Sequence, residues 1–291
     1  MIRNRLLITG GSGFVGGHII DLAKGQWEVW TTWKTHPVNT DGVQSVRLDI
    51  SSEKAIEDLV EKLQPEVIIH TAAWGDLEKC EEHPEQAFHI NTTSTEVFAE
   101  TSEKTGSRFI FISSDMVFDG KNGNYKETDE TIPLNVYGKT KLNAEKFIKA
   151  ICTNYVIARA ALIYGLPITG SNSFSEKIIR QVSAGQTMPL FTDQYRSPIL
   201  VQNLAEALLE LSGNDFCGIL HLGGGERTDR YTFGTYLADI KGFSRNLLKS
   251  VSMSSFKTKA PRPRDTSFNI SKACSVLTTR LLGFREGLKE C

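Results

Sequence analysis

Cysteine is scarce in this chain of 291 residues, and the five present (Cys80, Cys152, Cys217, Cys274 and Cys291) are scattered and never form a C-x-x-C pair. An odd, dispersed set excludes a disulfide framework, and no group has zinc-ligand spacing, so no metal site is expected. Long apolar runs are lacking as well. The start, MIRNRLLITG, is basic, but its apolar stretch is too short for a signal-peptide core. No segment approaches the roughly 18 apolar residues of a membrane span. Charge of one sign is not in excess either: 33 Lys and Arg against 34 Asp and Glu leave a formal net charge of −1. That balance argues against a protein that coats nucleic acid or an anionic membrane, while leaving room for a local basic pocket. The expectation is a soluble cytoplasmic protein, with no nucleic-acid or membrane partner, long enough to bury its own core.

What is present is a rhythm of short β-rich runs and longer helical patterns. RLLIT (5–9), WEVWTTW (27–33), SVRLD (45–49), EVIIH (66–70), RFIFIS (108–113) and NYVIAR (154–159) read as strands. Helical patterns fall at 14–24, 53–63, about 84–104 and 135–150. Strands alternating with helices of this length imply a parallel sheet with right-handed crossovers, and the lack of strict alternation implies burial on both faces. After Gly165 the rhythm changes to Gly, Pro, Ser and Asn, then helices near 174–184 and 203–211, a core strand at 218–224 and a polar remainder. The expected division is a dinucleotide-binding unit over 1–165 with 197–224 returning to it, and a smaller substrate-binding lobe from 166–196 and 225–291.

The run TGGSGFVGG sits between the first strand and the first helix and places glycines at 10, 13 and 16. Gly10 permits the tight turn, Gly13 lets backbone approach a pyrophosphate, and Gly16 lets the helix pack on the sheet. The phosphates would lie at the helix N-terminus among Ser12, Phe14 and Val15. This is an α/β, Rossmann-type doubly wound fold. At the end of the second strand an acid would bind the ribose 2′-hydroxyl of NAD. Here Lys34 stands instead, placed to meet a 2′-phosphate, so NADPH is expected, with NADH as the alternative. Asp49, with Ile50 beside it, is placed to accept from the adenine amino group.

Tyr137 and Lys141 lie four residues apart on one helix face, after a strand ending Ser113-Ser114-Asp115. Reducing a ketone requires a proton donor for the developing alkoxide. A tyrosine whose high pKa is lowered by a nearby ammonium suits that task, and Ser114 would hold the carbonyl oxygen.

The glycine loop, the Ser-Tyr-Lys set and the order of elements resemble the extended short-chain dehydrogenase/reductase superfamily, and within it the dTDP-4-dehydrorhamnose reductase family. The similar segments include HTAAWGDLEKCEEHPEQAFHIN (70–91), ISSDMVFDGKNGNYKETDETIPLNVYGKTKLNAEK (112–146), DQYRSPILVQNLA (193–205) and APRPRDTSFNISK (260–272). The resemblance implies an oxidoreductase that reduces the 4-keto group of a dTDP-6-deoxy sugar with NADPH or NADH, towards dTDP-L-rhamnose. It implies Ser114, Tyr137 and Lys141 as the catalytic set, and Ala72, Ala73 and Asn91 around the cofactor. For the nucleotide-sugar substrate it implies Asn172 and Phe174, with Arg196 and Arg262 toward the diphosphate. A homodimer is left open.

Two stretches depart from the family pattern: Trp74-Gly75-Asp76, where Trp74 stands in place of a frequent tyrosine, and DQYRSP, where Arg196 stands in place of a glycine. Both face the substrate in the superfamily. A dehydratase on the same fold is disfavoured, because Met116 follows Asp115 where dehydratases carry a glutamate, and an epimerase because the basic end of the second strand argues against a tightly held NAD. The chain also resembles the regulatory beta subunit of methionine adenosyltransferase, a relative that binds NADP and a partner enzyme, and the Ser-Tyr-Lys set does not separate the two. His70 reads as a satisfied core histidine, and Trp27, Trp30 and Trp33 as packing residues.

Overall fold

Along the first strand, β1 (Arg5–Thr9), Leu6 and Ile8 enter one buried cluster and Leu7 enters another. A strand apolar on both sides must be covered on both faces, and the remainder of the fold supplies the covers. The structure is a computed structural model and describes residues 4–169 and 172–291. Six further strands complete a parallel sheet: β2 (Glu28–Trp33), β3 (Val43–Arg47), β4 (Val67–His70), β5 (Arg108–Ser114), β6 (Tyr155–Ala160) and β7 (Gly218–Leu222). Their spatial order is β7-β6-β5-β4-β1-β2-β3. Ile8 lies opposite Thr31 of β2 on one side and Ile69 of β4 on the other. The order therefore reverses between β1 and β4, where open α/β sheets leave a crevice at their carboxyl ends.

The longer helices are α1 (Phe14–Ala23), α2 (Glu53–Leu63), α3 (Ser94–Thr105), α4 (Val136–Ile151), α5 (Phe174–Ser183), α6 (Val201–Ser212) and α7 (Arg230–Lys241). On one face, Ile19 and Ile20 of α1 and Leu204 and Leu208 of α6 pack with Leu6 and Ile8. On the other, Ile56 and Val60 of α2, Phe98 of α3 and Ile148 of α4 pack with Leu7. Short polar side chains begin several helices: Ser52 accepts from Ala55 N, Asn135 from Gly138 N, and Ser173 from Glu176 N.

A separate apolar cluster draws Ile178 of α5, Phe233 and Leu237 of α7, Leu190, Leu248 and Phe284 together with Tyr164. It includes a parallel pair of short strands, Met188–Phe191 and Leu248–Val251. The longest departure from the sequence reading lies in the expected helix over 84–104. It is interrupted by a π-helical turn at His89–Thr93 between Pro84–Phe88 and α3. Asn91 and Thr92 sit in that turn and both bond to Thr140 of α4, Asn91 through Nδ2 to Oγ1 (3.2 Å) and Thr92 through Oγ1 to the carbonyl (2.9 Å). Tertiary hydrogen bonds, not local propensity, set the wider winding.

Candidate active site

The glycine loop is held from both neighbouring strands. Gly11 N donates to the Thr32 carbonyl (2.9 Å) and Gly10 N to Thr32 Oγ1 (3.2 Å). Gly10 has φ +71°, and a Cβ there would lie 3.0 Å from Ala72 Cα; at Gly16 a Cβ would fall 2.4 Å from the Gly10 carbonyl oxygen. Only glycine permits this approach. Helix α1 begins at Gly13 with no side-chain cap and no acid in its first turn, leaving its positive end open to an anion. The loop opens on a cleft of about 480 Å³ lined by Gly10, Ser12, Gly13, Phe14, Val15, Lys34, Asp49, Ile50, Ala72, Ala73 and Trp74. Gly16 lies behind the loop. Thr32, Trp33, Thr35, His36, Leu48, Thr71 and Ile90 complete the wall, so Trp33, read from the sequence as a packing residue, borders the cleft. The shape and polarity fit a dinucleotide.

Lys34 and Asp49, assigned by sequence to a phosphate and to adenine, pair with each other across the cleft at 2.8 Å. Lys34 holds the Asp49 carboxyl down to about 2, helped by Ser51 N and Oγ. Both side chains are about half exposed, so the pair is screened by solvent.

A buried relay fixes the end of β4. Thr9 Oγ1 accepts from Thr71 N and Ala72 N (3.1 Å each), so its own proton goes to His70 Nδ1 at 2.8 Å. His70 Nε2 then donates to Thr95 Oγ1 (3.1 Å), and Thr95 donates to the Asn91 carbonyl (2.8 Å). Burial, with Lys141 second, pushes His70 down to about 3, which keeps it neutral. Asn91 grips the backbone of Trp74 from both sides, accepting from its N–H (2.7 Å) and donating to its carbonyl (3.1 Å). Asn91 is buried and holds the wall, not the cavity.

Ser114, at the end of β5, and Tyr137, in the first turn of α4, line a second pocket of about 300 Å³. Trp74 lines the cleft and Gly75 the pocket, so the two cavities meet at this bond. Burial and the Asp115 charge push the Tyr137 phenol up, against the neighbouring Ser114 hydroxyl, which lowers it. This corrects the expectation that Lys141 lowers the phenol. Lys141 is itself buried, 4.0 Å from the Phe111 ring centroid, and desolvation brings it down to about 7 despite Glu145. A lysine that shares its proton near neutrality is a weak source of positive field. Below it, Glu145 pairs with Arg159 at 2.7 Å and accepts from Ser113 Oγ at 2.5 Å.

The rest of the pocket carries buried charge. Asp115 follows Ser114 and accepts from its Oγ at 3.1 Å, while Asp115 Oδ2 faces Arg196 Nε at 3.0 Å and accepts from Thr266 Oγ1 at 2.5 Å. Arg196 also donates to the carbonyls of Tyr195 (2.5 Å) and Pro263 (3.1 Å). Arg230, which sequence reasoning missed, lines the same pocket. The signal available was a cation at the first helical position, where the helix dipole disfavours it. The remaining substrate-side residues do not line this pocket, though Phe174 lies against Arg230, which does. Arg262 pairs with Glu78 at 2.9 Å, Asn172 is exposed and accepts from Arg180 (3.3 Å), and Phe174 packs against Phe233 with ring centroids 5.6 Å apart. No cluster of potential metal ligands and no membrane-length apolar helix occurs among the described residues.

A doubly wound sheet with a glycine cradle at its first crossover and a Ser-Tyr pair at the carboxyl edge defines a short-chain dehydrogenase/reductase of the extended kind. Residues 4–291 match the model of the RmlD substrate binding domain family. The dTDP-4-dehydrorhamnose reductase of Salmonella typhimurium is 33% identical over 235 residues, 77% of this chain and 78% of that one. The chain belongs to the dTDP-4-dehydrorhamnose reductase family. The beta subunit of methionine adenosyltransferase 2 from Bos taurus is 27% identical over 99% of this chain and 87% of its own. Among solved structures, dTDP-4-dehydrorhamnose reductase of Bacillus anthracis in complex with NADP superposes with a TM-score of 0.87, at 24% identity, over 99% of this chain and 98% of that one. At that identity the likeness concerns the fold.

Proposed function

We propose that this protein is an NADPH-dependent reductase of the 4-keto group of a nucleotide-linked 6-deoxy sugar, acting as a dTDP-4-dehydrorhamnose reductase. The observation that carries the reading is the placement of Ser114 and Tyr137 together in a pocket that meets the dinucleotide cleft at Trp74-Gly75. Gly10, Ser12, Gly13, Phe14 and Val15 would hold the pyrophosphate. Lys34, drawn from Asp49, would meet the 2′-phosphate, and Ala72 and Ala73 would flank the nicotinamide end. The bound cofactor supplies the hydride.

Ser114 donates to the keto oxygen and fixes its position. Tyr137, kept protonated by burial, gives that oxygen its proton as negative charge develops. A raised phenol suits this direction, since reduction calls for the acid. Lys141 lies one turn further along α4, and a pKa of about 7 lets it carry either protonation state near neutrality. Asp115 is engaged by Arg196 and Thr266, which speaks against a dehydratase that would use it as an acid.

The test is NADPH absorbance in the presence of dTDP-4-keto-6-deoxyglucose, with and without an added 3,5-epimerase. Epimerase-dependent oxidation is expected. NADPH binding without oxidation would contradict the reading and favour a regulatory role like that of the methionine adenosyltransferase subunit.

A further inference from the structure

No carboxylate among the described residues forms an ion pair with Arg230, and only the more distant charge of Asp115 favours its guanidinium. Arg230 Nε donates to Gln194 Oε1 (2.9 Å), and its guanidinium lies 4.4 Å from the Phe174 ring centroid. Its Nη1 is buried with no hydrogen-bond partner among the described residues. Three features oppose the charge: burial, the neighbouring Arg196 guanidinium, and a place at the positive end of α7. Asp115 favours the charge only from a distance, since its oxygens are taken by Ser114, Arg196 and Thr266. Asp229, the cap of α7, gives its oxygens to Thr232 N and Oγ1. An arrangement that violates three local rules, with only this partial compensation among the described residues, points to a ligand that completes it.

We propose that Arg230 is the anion anchor of the substrate pocket and takes the phosphoanhydride of the nucleotide-linked sugar. This rests on the nucleotide-sugar reading above. The sequence alone points to Arg196 for that task. Its Nε is ion-paired with Asp115 without a hydrogen bond, and its terminal nitrogens donate to the backbone carbonyls of Tyr195, Arg264 and Pro263. Arg196 is thus committed mainly to its carboxylate and to backbone, whereas Arg230, with no ion pair among the described residues, has Nη1 left for a ligand. A sugar whose keto carbon meets Tyr137 presents the phosphate on its anomeric carbon from across the ring. A planar guanidinium, already stacked on Phe174 and so partly immobilised, suits two phosphate oxygens.

Calorimetric titration of dTDP, UDP and GDP into wild type, Arg230→Met and Arg230→Lys, with NADPH titrated in parallel and Tm recorded, tests this. The expectation is binding of at least one diphosphate to wild type, weakened roughly tenfold to a hundredfold in Arg230→Met and less in Arg230→Lys. NADPH affinity should be unchanged, and the Tm of Arg230→Met should equal or exceed that of wild type, since an uncompensated buried charge is gone. Equal diphosphate affinity in wild type and Arg230→Met would overturn the anchor alone. Joint loss of Tm and NADPH affinity would overturn it in favour of a structural role. A wild type that binds none of the three diphosphates would overturn the nucleotide-sugar reading and the anchor with it.

Discussion

In the cofactor cleft the charges stand in water: Lys34 and Asp49 pair at 2.8 Å with about half of each side chain exposed. In the substrate pocket Arg196 and Asp115 pair at a similar distance, 3.0 Å, but are only 1% and 5% exposed. The same chemistry has different consequences in the two places. An exposed pair is screened within about 8 Å at physiological salt and is easily exchanged for a ligand. A buried pair has lost its water and depends wholly on its partner. The cleft is thus a surface that trades contacts with a cofactor, and the pocket is a fixed electrostatic frame that selects what enters.

The contrast is broken most forcefully at Asp115. Asp115→Asn leaves Arg196 and Arg230 buried without a carboxylate and should cost about 3–5 kcal/mol of stability. Denaturant unfolding that moves by less than about 1 kcal/mol would remove the frame from the account.

Lys141 gives the next effect, through pH. Its folded pKa of about 7 lies below the ordinary lysine value of 10.5, so the unfolded chain binds more protons between these values. Without NADPH, wild type should lose stability relative to Lys141→Met as pH falls from about 10.5 to about 7, and no further below. A pH-independent difference would contradict the burial of this lysine.

Lys34 sharpens the other side with the smallest change in stability. Lys34→Asp should alter stability by no more than about 0.5 kcal/mol, while shifting the NADPH-to-NADH affinity ratio roughly tenfold toward NADH. That shift should shrink as salt rises. An unchanged ratio would remove Lys34 from the 2′-phosphate role.

These two regions also differ in how much of them could be read from the chain. The cradle is made of consecutive residues, and the requirement for glycine at 10 and 16 is a steric fact about neighbours close in sequence or on adjacent strands. Tyr137 and Lys141 share one helix, and Ser114 ends a strand recognisable by its apolar run. The pocket's frame is different. Asp115 meets Arg196 and Thr266 from distant segments, and Arg230 arrives from the start of α7. No local pattern reports such pairings. The π-turn that seats Asn91 escaped for a related reason, since Trp74 and Thr140 dictate it from elsewhere. The direction of the Tyr137 shift followed from burial, which spacing does not reveal.

Deuterium placed on the transferring position of the reduced nicotinamide tests the central claim most directly. With the nucleotide-linked 4-keto sugar as acceptor, the wild type should deliver one deuterium to carbon 4. Tyr137→Phe should do so at least ~10²-fold more slowly with NADPH affinity unchanged. Bound cofactor that retains its deuterium, or an undiminished rate in Tyr137→Phe, would contradict the account.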